Sequence, residues 1–548
     1  MTIQARWIGG CGALVLAVQP LAAGAAMIPI ASDPISTSGG PIAGTQLASG
    51  VRAYLGIPYA APPVGPLRWT APQPIRWSGR WNADRRGPEC IQVLRPHDIN
   101  HYFGEEPTSE DCLYLNVWTP AKASAGARLP VIVFIYGGGF TIGSSGMPNY
   151  GGEETARAGA VFVNFNYRVG ALGFMAHPEL SREQGGHSGN YGLMDQTAAL
   201  RWVRDNIARF GGDPAKVLLI GQSAGAGSVA AQIFSPAARG LFRAAVMSSG
   251  CNFASDGIGL AEAEKVGVEI QQRLGAAGLG DMRQIPADRI LALQSENQVG
   301  AKVEGVRIGG PIVDGYVLPQ PRKAALAAGA VARVPIIASY NSDDIDIGMN
   351  PIGGAHTAAE YRAGARALYG ADADRFLALF PVSDDASVPA AARRVATMAG
   401  FEAGSRQCGQ AQAALGQPVY IDEFTRRHPY VPGVRIADQD TATIGAYHTA
   451  DMPYWFGTLD AYNGLRPTRN WTPWDRELSA RMMQALIAMA RTGNPSTARQ
   501  PWPAWSSASE RKIMWGDQVT VEGLDAAGLD FLAAHPIIRQ ALPRRPRD

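Results

Sequence analysis

One serine stands in a pattern that could make it a nucleophile. Ser223 lies in a Gly-x-Ser-x-Gly stretch at 221–225, directly after the apolar run at 217–220. Because nothing polar alternates within that run, it predicts a strand buried on both faces. Gly221 and Gly225 lack a Cβ, so the chain can turn sharply from this strand into a helix. A serine on such a turn projects its hydroxyl above the sheet, which is typical of hydrolases that form an acyl-enzyme.

The glycines after the serine permit a second interpretation. Residues 225–230 fit the loose Gly-x-Gly-x-x-Ala pattern of dinucleotide-binding loops. That pattern needs an acidic residue about 20 positions further on, which holds a ribose hydroxyl. The corresponding stretch at 244–249 contains no acid. The nucleophile hypothesis is therefore favoured.

A serine hydroxyl also needs a histidine that takes its proton and an acid that orients the histidine. In enzymes with this kind of turn, the chain order is serine, acid, histidine. Of the histidines after Ser223, His448 lies in a loop between a strand that ends near 424 and a later helix. Of the other histidines, His356 lies well before this loop and His535 lies near the terminus. Order and position therefore favour His448 as the base.

Three aspartates follow the strand at 334–340, namely Asp343, Asp344 and Asp346. Open α/β sheets place their sites at the carboxyl ends of strands, where these aspartates lie. Any of the three could reach an imidazole. The residues alone do not choose among them.

A run of three glycines could bind the oxyanion of the reaction. Residues 137–139 are all glycine and follow the apolar strand at 130–136. Glycines present backbone N–H groups without side chains in the way, and the N–H of Ala224, after the serine, adds a donor. A phosphate-binding loop would end in Gly-Lys-Ser/Thr, which is absent here. The glycine run therefore predicts an oxyanion hole.

The elements that carry these residues alternate between strands and helices. The segment up to 126 predicts short strands at most, and a helix around 478–491 is expected to close the fold. Apolar residues recur at helical spacing over 193–210. Strands are expected at 130–136, 161–167, 216–221, 241–248, 334–340 and 417–424. The alternation predicts an α/β fold with a mostly parallel sheet, helices on both faces, and helical insertions at about 255–330 and 346–415 over the site.

Composition and charge limit the partners. The chain has 548 residues, 46% hydrophobic and 18% charged, with a net charge of +2. This balance predicts a globular protein that binds neither nucleic acid nor an acidic membrane. The cysteines lack zinc-ligand spacing, and the expected chemistry requires no metal and no cofactor. The oligomeric state does not follow from the sequence.

Residues 1–26 have the pattern of a secretory signal peptide. Arg6 is followed by an apolar stretch at 7–21 and by small residues at 22–26. The apolar stretch is short for a membrane span, although an uncleaved anchor is the alternative. The sequence therefore predicts one catalytic domain at 27–548, exported to the periplasm or secreted, without a membrane span.

Removal of this segment takes away Cys11 and leaves four cysteines. An even number of cysteines in an exported chain predicts disulfides. Of the three possible connectivities we favour Cys90–Cys112, which closes a local loop, together with Cys251–Cys408. Four buried free thiols are the alternative, which export disfavours.

Several stretches resemble one family, the type-B carboxylesterases, which also include the cholinesterases and the non-catalytic neuroligins. The resemblance covers nearly the whole chain after the signal segment. In chain order the stretches are Leu-Gly-Ile-Pro-Tyr-Ala (55–60), Leu-Arg-Trp (67–69), Ser-Glu-Asp-Cys-Leu-Tyr-Leu-Asn-Val (109–117), Tyr-Gly-Gly-Gly-Phe (136–140), Asn-Tyr-Arg-Val-Gly (166–170), Gly-Asn-Tyr-Gly-Leu-Met-Asp-Gln (189–196) and Phe-Gly-Gly-Asp-Pro (210–214).

The resemblance implies an α/β-hydrolase fold and the hydrolysis of small-molecule carboxylic esters. It implies Ser223 as nucleophile and His448 as base, and it makes Cys90–Cys112 the family's early disulfide. It implies an oxyanion hole formed by the N–H groups of Gly138, Gly139 and Ala224. It also implies an acyl pocket that Phe140 helps to line.

The sequence departs from the family pattern at two positions. The family's triad acid is usually glutamate, in a motif like Gly-Thr-Asn-x-Asp-Glu-Gly. Here 339–345 reads Ser-Tyr-Asn-Ser-Asp-Asp-Ile, so the matching residue is Asp344. Aspartate is one methylene shorter, so we expect the backbone to approach His448 more closely; Asp343 and Asp346 remain alternatives. Gln222 stands where glutamate is common, which removes a charge beside the site.

Two other functions fit the same fold. One is a catalytically inactive adhesion protein, which has to be considered because a fold alone does not fix function. The retained serine, histidine and glycines argue against it. The other is an esterase of narrow specificity, for a toxin, phenolic or carbamate ester. The sequence of the insertions does not reveal the shape of the pocket.

Overall fold

A computed structural model describes most of the chain. The segment at 1–26 and the alternative acid Asp346 lie outside the described residues. The described residues are 28–93, 107–254, 256–295, 302–303, 306–307, 309–344, 352, 354–436, 440–464 and 466–535.

A twelve-stranded sheet forms the centre of the fold. Its spatial order is β1-β2-β3-β4-β6-β5-β7-β8-β9-β10-β11-β12. The strands from β6 to β11 in this order are parallel, whereas β1 to β4 and β12 run antiparallel to their neighbours. In chain order they are β1 (Ile28–Pro29), β2 (Thr45–Gln46), β3 (Arg52–Pro58), β4 (Tyr114–Thr119), β5 (Leu129–Ile135), β6 (Val161–Phe165), β7 (Gly212–Gln222), β8 (Ala244–Ser248), β9 (Ile336–Asn341), β10 (Val419–Phe424), β11 (Arg511–Trp515) and β12 (Val519–Gly523).

Helices connect and flank these strands. Helices α4, α5, α13 and α15 pack against the parallel strands. The helices are α1 (Glu153–Arg157), α2 (Gly170–Phe174), α3 (Pro178–Glu183), α4 (Tyr191–Asn206), α5 (Ala224–Phe234), α6 (Leu260–Leu274), α7 (Leu279–Gln284), α8 (Ala287–Ser295), α9 (Arg322–Ala327), α10 (Ala358–Tyr369), α11 (Ala373–Leu379), α12 (Val388–Thr397), α13 (Ala403–Ala414), α14 (Met452–Phe456), α15 (Pro473–Thr492) and α16 (Ala526–Ala534).

Strand β7 lies inside the parallel part of the sheet, between β5 and β8. All of its residues from Val217 to Gln222 are buried, which confirms the prediction from the apolar run. Because β5, β7, β8, β9 and β10 are parallel neighbours, their carboxyl ends lie along one edge of the sheet. The α/β class with a mostly parallel sheet flanked by helices is therefore confirmed. None of the helices in the described part of the chain is long and apolar enough to cross a bilayer.

Two expectations about the elements are wrong. The segment before 126 contains β3 and β4, which are seven and six residues long and pair antiparallel. The register of β3 against β4 shifts between Tyr54 and Ile57, around Gly56, whose φ is 69°. The fold also does not close with the helix expected at 478–491, since β11, β12 and α16 follow it.

A buried ion pair joins the loop after β6 to helix α4. Arg168, just after β6, donates from Nε and Nη2 to both carboxylate oxygens of Asp195 on α4, at 2.8 and 2.7 Å. The backbone N–H of Arg168 also donates to Asp195, at 3.0 Å. The two side chains are 4% and 0% exposed. The pair therefore fixes the loop after β6 against α4.

We predict that Arg168→Met destabilises the protein by about 3–5 kcal/mol, because it leaves the Asp195 carboxylate buried without its partner. Chemical unfolding followed by circular dichroism measures this loss. The matched control is Arg157→Met, which removes a surface pair with Glu154 whose side chains are 56% and 39% exposed. The control should lose less than about 1 kcal/mol. Equal small losses in both variants would contradict the prediction.

Candidate active site

The backbone turns sharply at Ser223, between β7 and α5. Ser223 has φ 57° and ψ −122°, a conformation that residues with a Cβ rarely adopt. A Cβ on Gly221 would lie 2.2 Å from the carbonyl oxygen of Gly225, and one on Gly225 would lie 2.1 Å from that of Ile135. Both glycines are therefore required. The Ser223 N–H donates to the carbonyl of Ser248 on the neighbouring strand, at 2.8 Å, which helps to hold the turn.

His448 and Asp344 meet at the same edge of the sheet. The Nδ1 atom of His448 lies 2.5 Å from Oδ1 of Asp344. The Asp344 side chain is fully buried, whereas that of His448 is 23% exposed. The second oxygen of Asp344 accepts from the Ser249 hydroxyl at 2.7 Å and from the Asn341 N–H at 2.8 Å. Both carboxylate oxygens are thus occupied, so the carboxylate has one orientation toward the imidazole.

The side chain of the neighbouring acid, Asp343, contacts the backbone of the loop that carries His448. Its Oδ2 atom accepts from the N–H of Gly445 at 2.7 Å and lies 3.2 Å from Nε of Arg393. Of the three aspartates left open by the sequence, the structure therefore places Asp344 at the imidazole and Asp343 at the loop. The third, Asp346, lies outside the described residues.

Gln222 contacts the other side of the imidazole, which the sequence did not indicate. Its amide Nε2 lies 3.1 Å from Nε2 of His448. When Nδ1–H donates to Asp344, Nε2 carries a lone pair, so the Gln222 amide is the donor in this pair. Within the described part of the chain, Nε2 of His448 contacts this amide rather than the Ser223 hydroxyl. Hydrogen bonds between nucleophile and base are often long before substrate binds.

The glycine run after β5 lies directly against the serine. A Cβ on Gly137 would lie 2.8 Å from the Ser223 Cβ. Gly138 and Gly139 have φ values of 108° and 63°, which glycine adopts without strain. Ala224 is the first residue of α5, where N–H groups lack acceptors within the helix. The run thus lies at the positive end of α5, as an oxyanion hole would require.

Phe140 follows the glycines and also has a positive φ, of 64°. Its ring packs edge-on against Phe174, with centroids 5.4 Å apart. It also lies over α5, since a Cβ on Gly227 would be 3.2 Å from it. The ring of Phe140 therefore lies beside the first turn of α5.

A second carboxyl group, that of Asp451, is buried beneath the site. It accepts from the Ser248 hydroxyl at 2.7 Å, the Trp455 indole N–H at 3.1 Å and the Asn341 amide at 3.2 Å. Burial, with a smaller contribution from the charge of Asp344, raises its pKa above the usual range. Asp451 lies three residues after His448 and fixes the histidine loop onto β8 and β9.

The insertion at 346–415 contacts His448 and Asp344 directly. Phe401 stacks on the imidazole of His448, with centroids 5.8 Å apart and planes 15° apart. Thr397 Oγ1 accepts from the Asp344 N–H at 3.2 Å and donates to the Ser342 carbonyl at 3.1 Å. Between α12 and α13 the residues Met398–Glu402 form a π-helical turn, a feature that is frequent at functional sites. No sequence pattern indicated these contacts.

Two disulfides are present, Cys90–Cys112 and Cys251–Cys408. The second joins the segment after β8 to α13, and so joins the insertion to the core. Within the described residues no group of three or more His, Cys, Asp or Glu side chains could hold a metal ion.

The chain is similar to known hydrolases over most of its length. A model of the Carboxylesterase family matches residues 31–531. Fumonisin B1 esterase of Sphingopyxis macrogoltabida is 36% identical over 519 residues, which are 91% of each chain. Phenmedipham hydrolase of Pseudarthrobacter oxydans is 30% identical over 531 residues, which are 91% of this chain and 98% of that one. A solved structure of PNB esterase matches with a TM-score of 0.74 and 31% identity, covering 91% of this chain and 99% of that chain.

Proposed function

The chain belongs to the carboxylesterase family, has the α/β-hydrolase fold and is a carboxylic ester hydrolase, and we propose that Ser223, His448 and Asp344 are its catalytic triad. The observation that carries this proposal is the contact between His448 and Asp344 at the sheet edge where Ser223 turns into α5. In such a triad each of the three groups has a defined chemical role.

In the first half of the reaction, Nε2 of His448 takes the Ser223 proton while Oγ attacks the ester carbonyl. The carbonyl oxygen becomes an oxyanion, which the N–H groups of Gly138, Gly139 and Ala224 stabilise. Asp344 holds Nδ1–H and stabilises the imidazolium. Loss of one oxyanion donor typically costs about 10²–10³ in turnover, so the glycine run contributes strongly.

In the second half, the tetrahedral intermediate collapses and the alcohol leaves with the proton from His448. The acyl group stays on Ser223 as an ester. Water then gives a proton to His448 and attacks the acyl carbonyl at the same oxyanion site. Collapse of this intermediate returns the proton to Ser223 and releases the acid.

Gln222 contacts the nitrogen of His448 that acts as the base in this mechanism. Its amide N–H donates to the Nε2 lone pair in the resting enzyme. Once Nε2 is protonated it is a donor, and the amide must turn so that its oxygen accepts. A carboxylate at this position would accept from Nε2–H directly and favour the imidazolium. The amide of Gln222 has to leave Nε2 before Ser223 can give its proton to that atom.

The substrate is a small-molecule carboxylic ester. Narrow specificity is a second possibility, favoured by relatives named for single substrates, fumonisin B1 and phenmedipham. An inactive adhesion protein is not favoured, because the relatives over nearly the whole chain are hydrolases.

We also propose that residues 1–26 direct export and that 27–548 form one catalytic domain in the periplasm or outside the cell. The two disulfides support an oxidising compartment. Amino-terminal sequencing of the protein from the culture medium and the periplasm tests this; an intact Met1 in protein found only in the cytoplasm would exclude it.

For the triad, we predict that Ser223→Ala lowers kcat for a short-chain p-nitrophenyl ester by about 10⁴–10⁶-fold, because the nucleophile is lost. The release of p-nitrophenol measures this. The matched control is Ser235→Ala, which removes another buried serine hydroxyl, directly after the last residue of the same helix α5. The control should keep wild-type turnover. Turnover that survives in Ser223→Ala would exclude Ser223 as the nucleophile.

We further predict that Gln222→Glu moves the acid limb of the kcat/KM profile to higher pH. The carboxylate stabilises protonated His448, so a higher pH is needed before the base form predominates. Rates from pH 5 to 9 with the same ester measure the limb. Gln222→Met is the control, since it removes the amide without adding charge and should move the limb much less. An unchanged limb in Gln222→Glu would contradict the role given to Gln222.

A further inference from the structure

The turn that carries the triad acid is bonded directly to the loop that carries the base. The N–H of Asp343 donates to the carbonyl of Ala446 at 2.9 Å. In return, the carboxylate of Asp343 accepts from the N–H of Gly445 at 2.7 Å. The backbone bond belongs to an isolated parallel bridge between Asp343 and Tyr447, and the carboxylate bond adds a second link beside it. Asp344 and His448 are the next residues along each segment, so the bridge sets the distance between their backbones.

The Asp343 carboxylate supplies the second link, and it leaves little space for a side chain at Gly445. A Cβ on Gly445 would lie 2.6 Å from Oδ2 of Asp343. The same oxygen lies 3.2 Å from Nε of Arg393 on α12, and the side chains of Asp343 and Arg393 are mostly buried, at 17% and 21% exposure. The charged contact holds Oδ2 toward the loop. The Asp343 side chain therefore joins three elements, namely the acid turn, the histidine loop and α12.

The backbone of the acid itself is held from the same helix. Thr397 on α12 accepts from the N–H of Asp344 and donates to the carbonyl of Ser342. The turn at 342–344 thus cannot withdraw from His448 without breaking bonds to both the loop and α12.

This spacing fits an aspartate and disfavours a longer acid. The Asp344 carboxylate already reaches Nδ1 at 2.5 Å. A glutamate would carry its carboxylate about 1.5 Å further, one carbon–carbon bond. With the two backbones bonded to each other, that extra length has to be taken up by a bent side chain or a displaced imidazole.

We propose that Asp343 is a positioning residue that sets the separation of the acid turn from the histidine loop, and thereby makes aspartate the triad acid of the required length. This inference rests on the proposed triad. Asp343 touches neither substrate nor imidazole; it acts through the backbone of residues 445 and 446.

The test is a double-mutant cycle of Asp343→Ala and Asp344→Glu, measured as kcat and KM for a p-nitrophenyl ester. Asp344→Glu alone should lower kcat by about 10²-fold with little change in KM, since a displacement of about 1 Å costs that much. Asp343→Ala alone should lower kcat as well, because the loop is released. The double variant should be about tenfold or more faster than Asp343→Ala, because the longer acid regains the released imidazole.

Two further variants separate positioning from folding. Asp343→Asn keeps an acceptor of the same size for the Gly445 N–H and should retain most of kcat. Asp440→Ala removes another carboxylate that bonds the histidine loop, through the Ala442 N–H at 2.9 Å, without touching the acid turn. In that background Asp344→Glu should remain harmful. Unfolding midpoints show that each compared variant is folded.

A reversal of the preferred acid length in the Asp343→Ala background supports the inference. Equal factors for Asp344→Glu in both backgrounds overturn it, because Asp343 would then only stabilise the fold. If Asp343→Ala does not fold, Asp343→Ser takes its place in the cycle, and an Asp344→Glu factor equal to that in the wild type overturns the inference. Turnover that survives in Ser223→Ala would remove the proposed triad, an outcome that is separate from the cycle.

Discussion

The strained backbone of Ser223 is the constraint on which the rest of the site depends. A residue with a Cβ in this conformation costs about 1–3 kcal/mol, so the surrounding structure has to hold it there. Strand β7 is buried between β5 and β8, and α5 begins immediately after the serine. Close backbone contacts at Gly221 and Gly225 allow this turn, and a third at Gly137 brings the glycine run against the serine. The nucleophile and the oxyanion donors are thus positioned by one packing arrangement rather than by separate loops.

The polar groups beneath the site are paired across the parallel strands. Residues 222, 248, 339 and 422 lie in register on β7, β8, β9 and β10. The Ser339 hydroxyl donates to Asp422 at 2.9 Å. Burial raises the pKa of Asp422 well above its usual range, and it also raises the pKa of Asp451. Burial thus acts against a negative charge on either of these two carboxyl groups. Asp344 accepts from a hydroxyl and a backbone N–H besides its contact with the imidazole.

The sequence predicts what depends on local pattern and chain order. The buried strand before Ser223, the glycine run and the loop of His448 could all be placed, because apolar runs and glycines act over a few residues. Strand β11 could not, because its residue Lys512 is charged yet buried, where it donates to Glu423 at 2.6 Å and contacts Glu402 at 3.3 Å. The choice between Asp343 and Asp344 and the contact of Gln222 with His448 depend on residues about one hundred or more positions apart. Such contacts follow from the assembled sheet and leave no trace in local spacing.

The insertion at 346–415 joins substrate-side structure to the triad. Its π-helical turn ends at Glu402, which pairs with Arg394 at 2.5 Å and with Lys512 of β11, so the turn is anchored to the sheet. One residue earlier, Phe401 stacks on His448, and Thr397 bonds the backbone of Asp344. The Cys251–Cys408 disulfide ties the following helix to the segment after β8. A change in this insertion that suits a different ester therefore also moves the groups that orient the base, so substrate specificity and triad geometry have to change together.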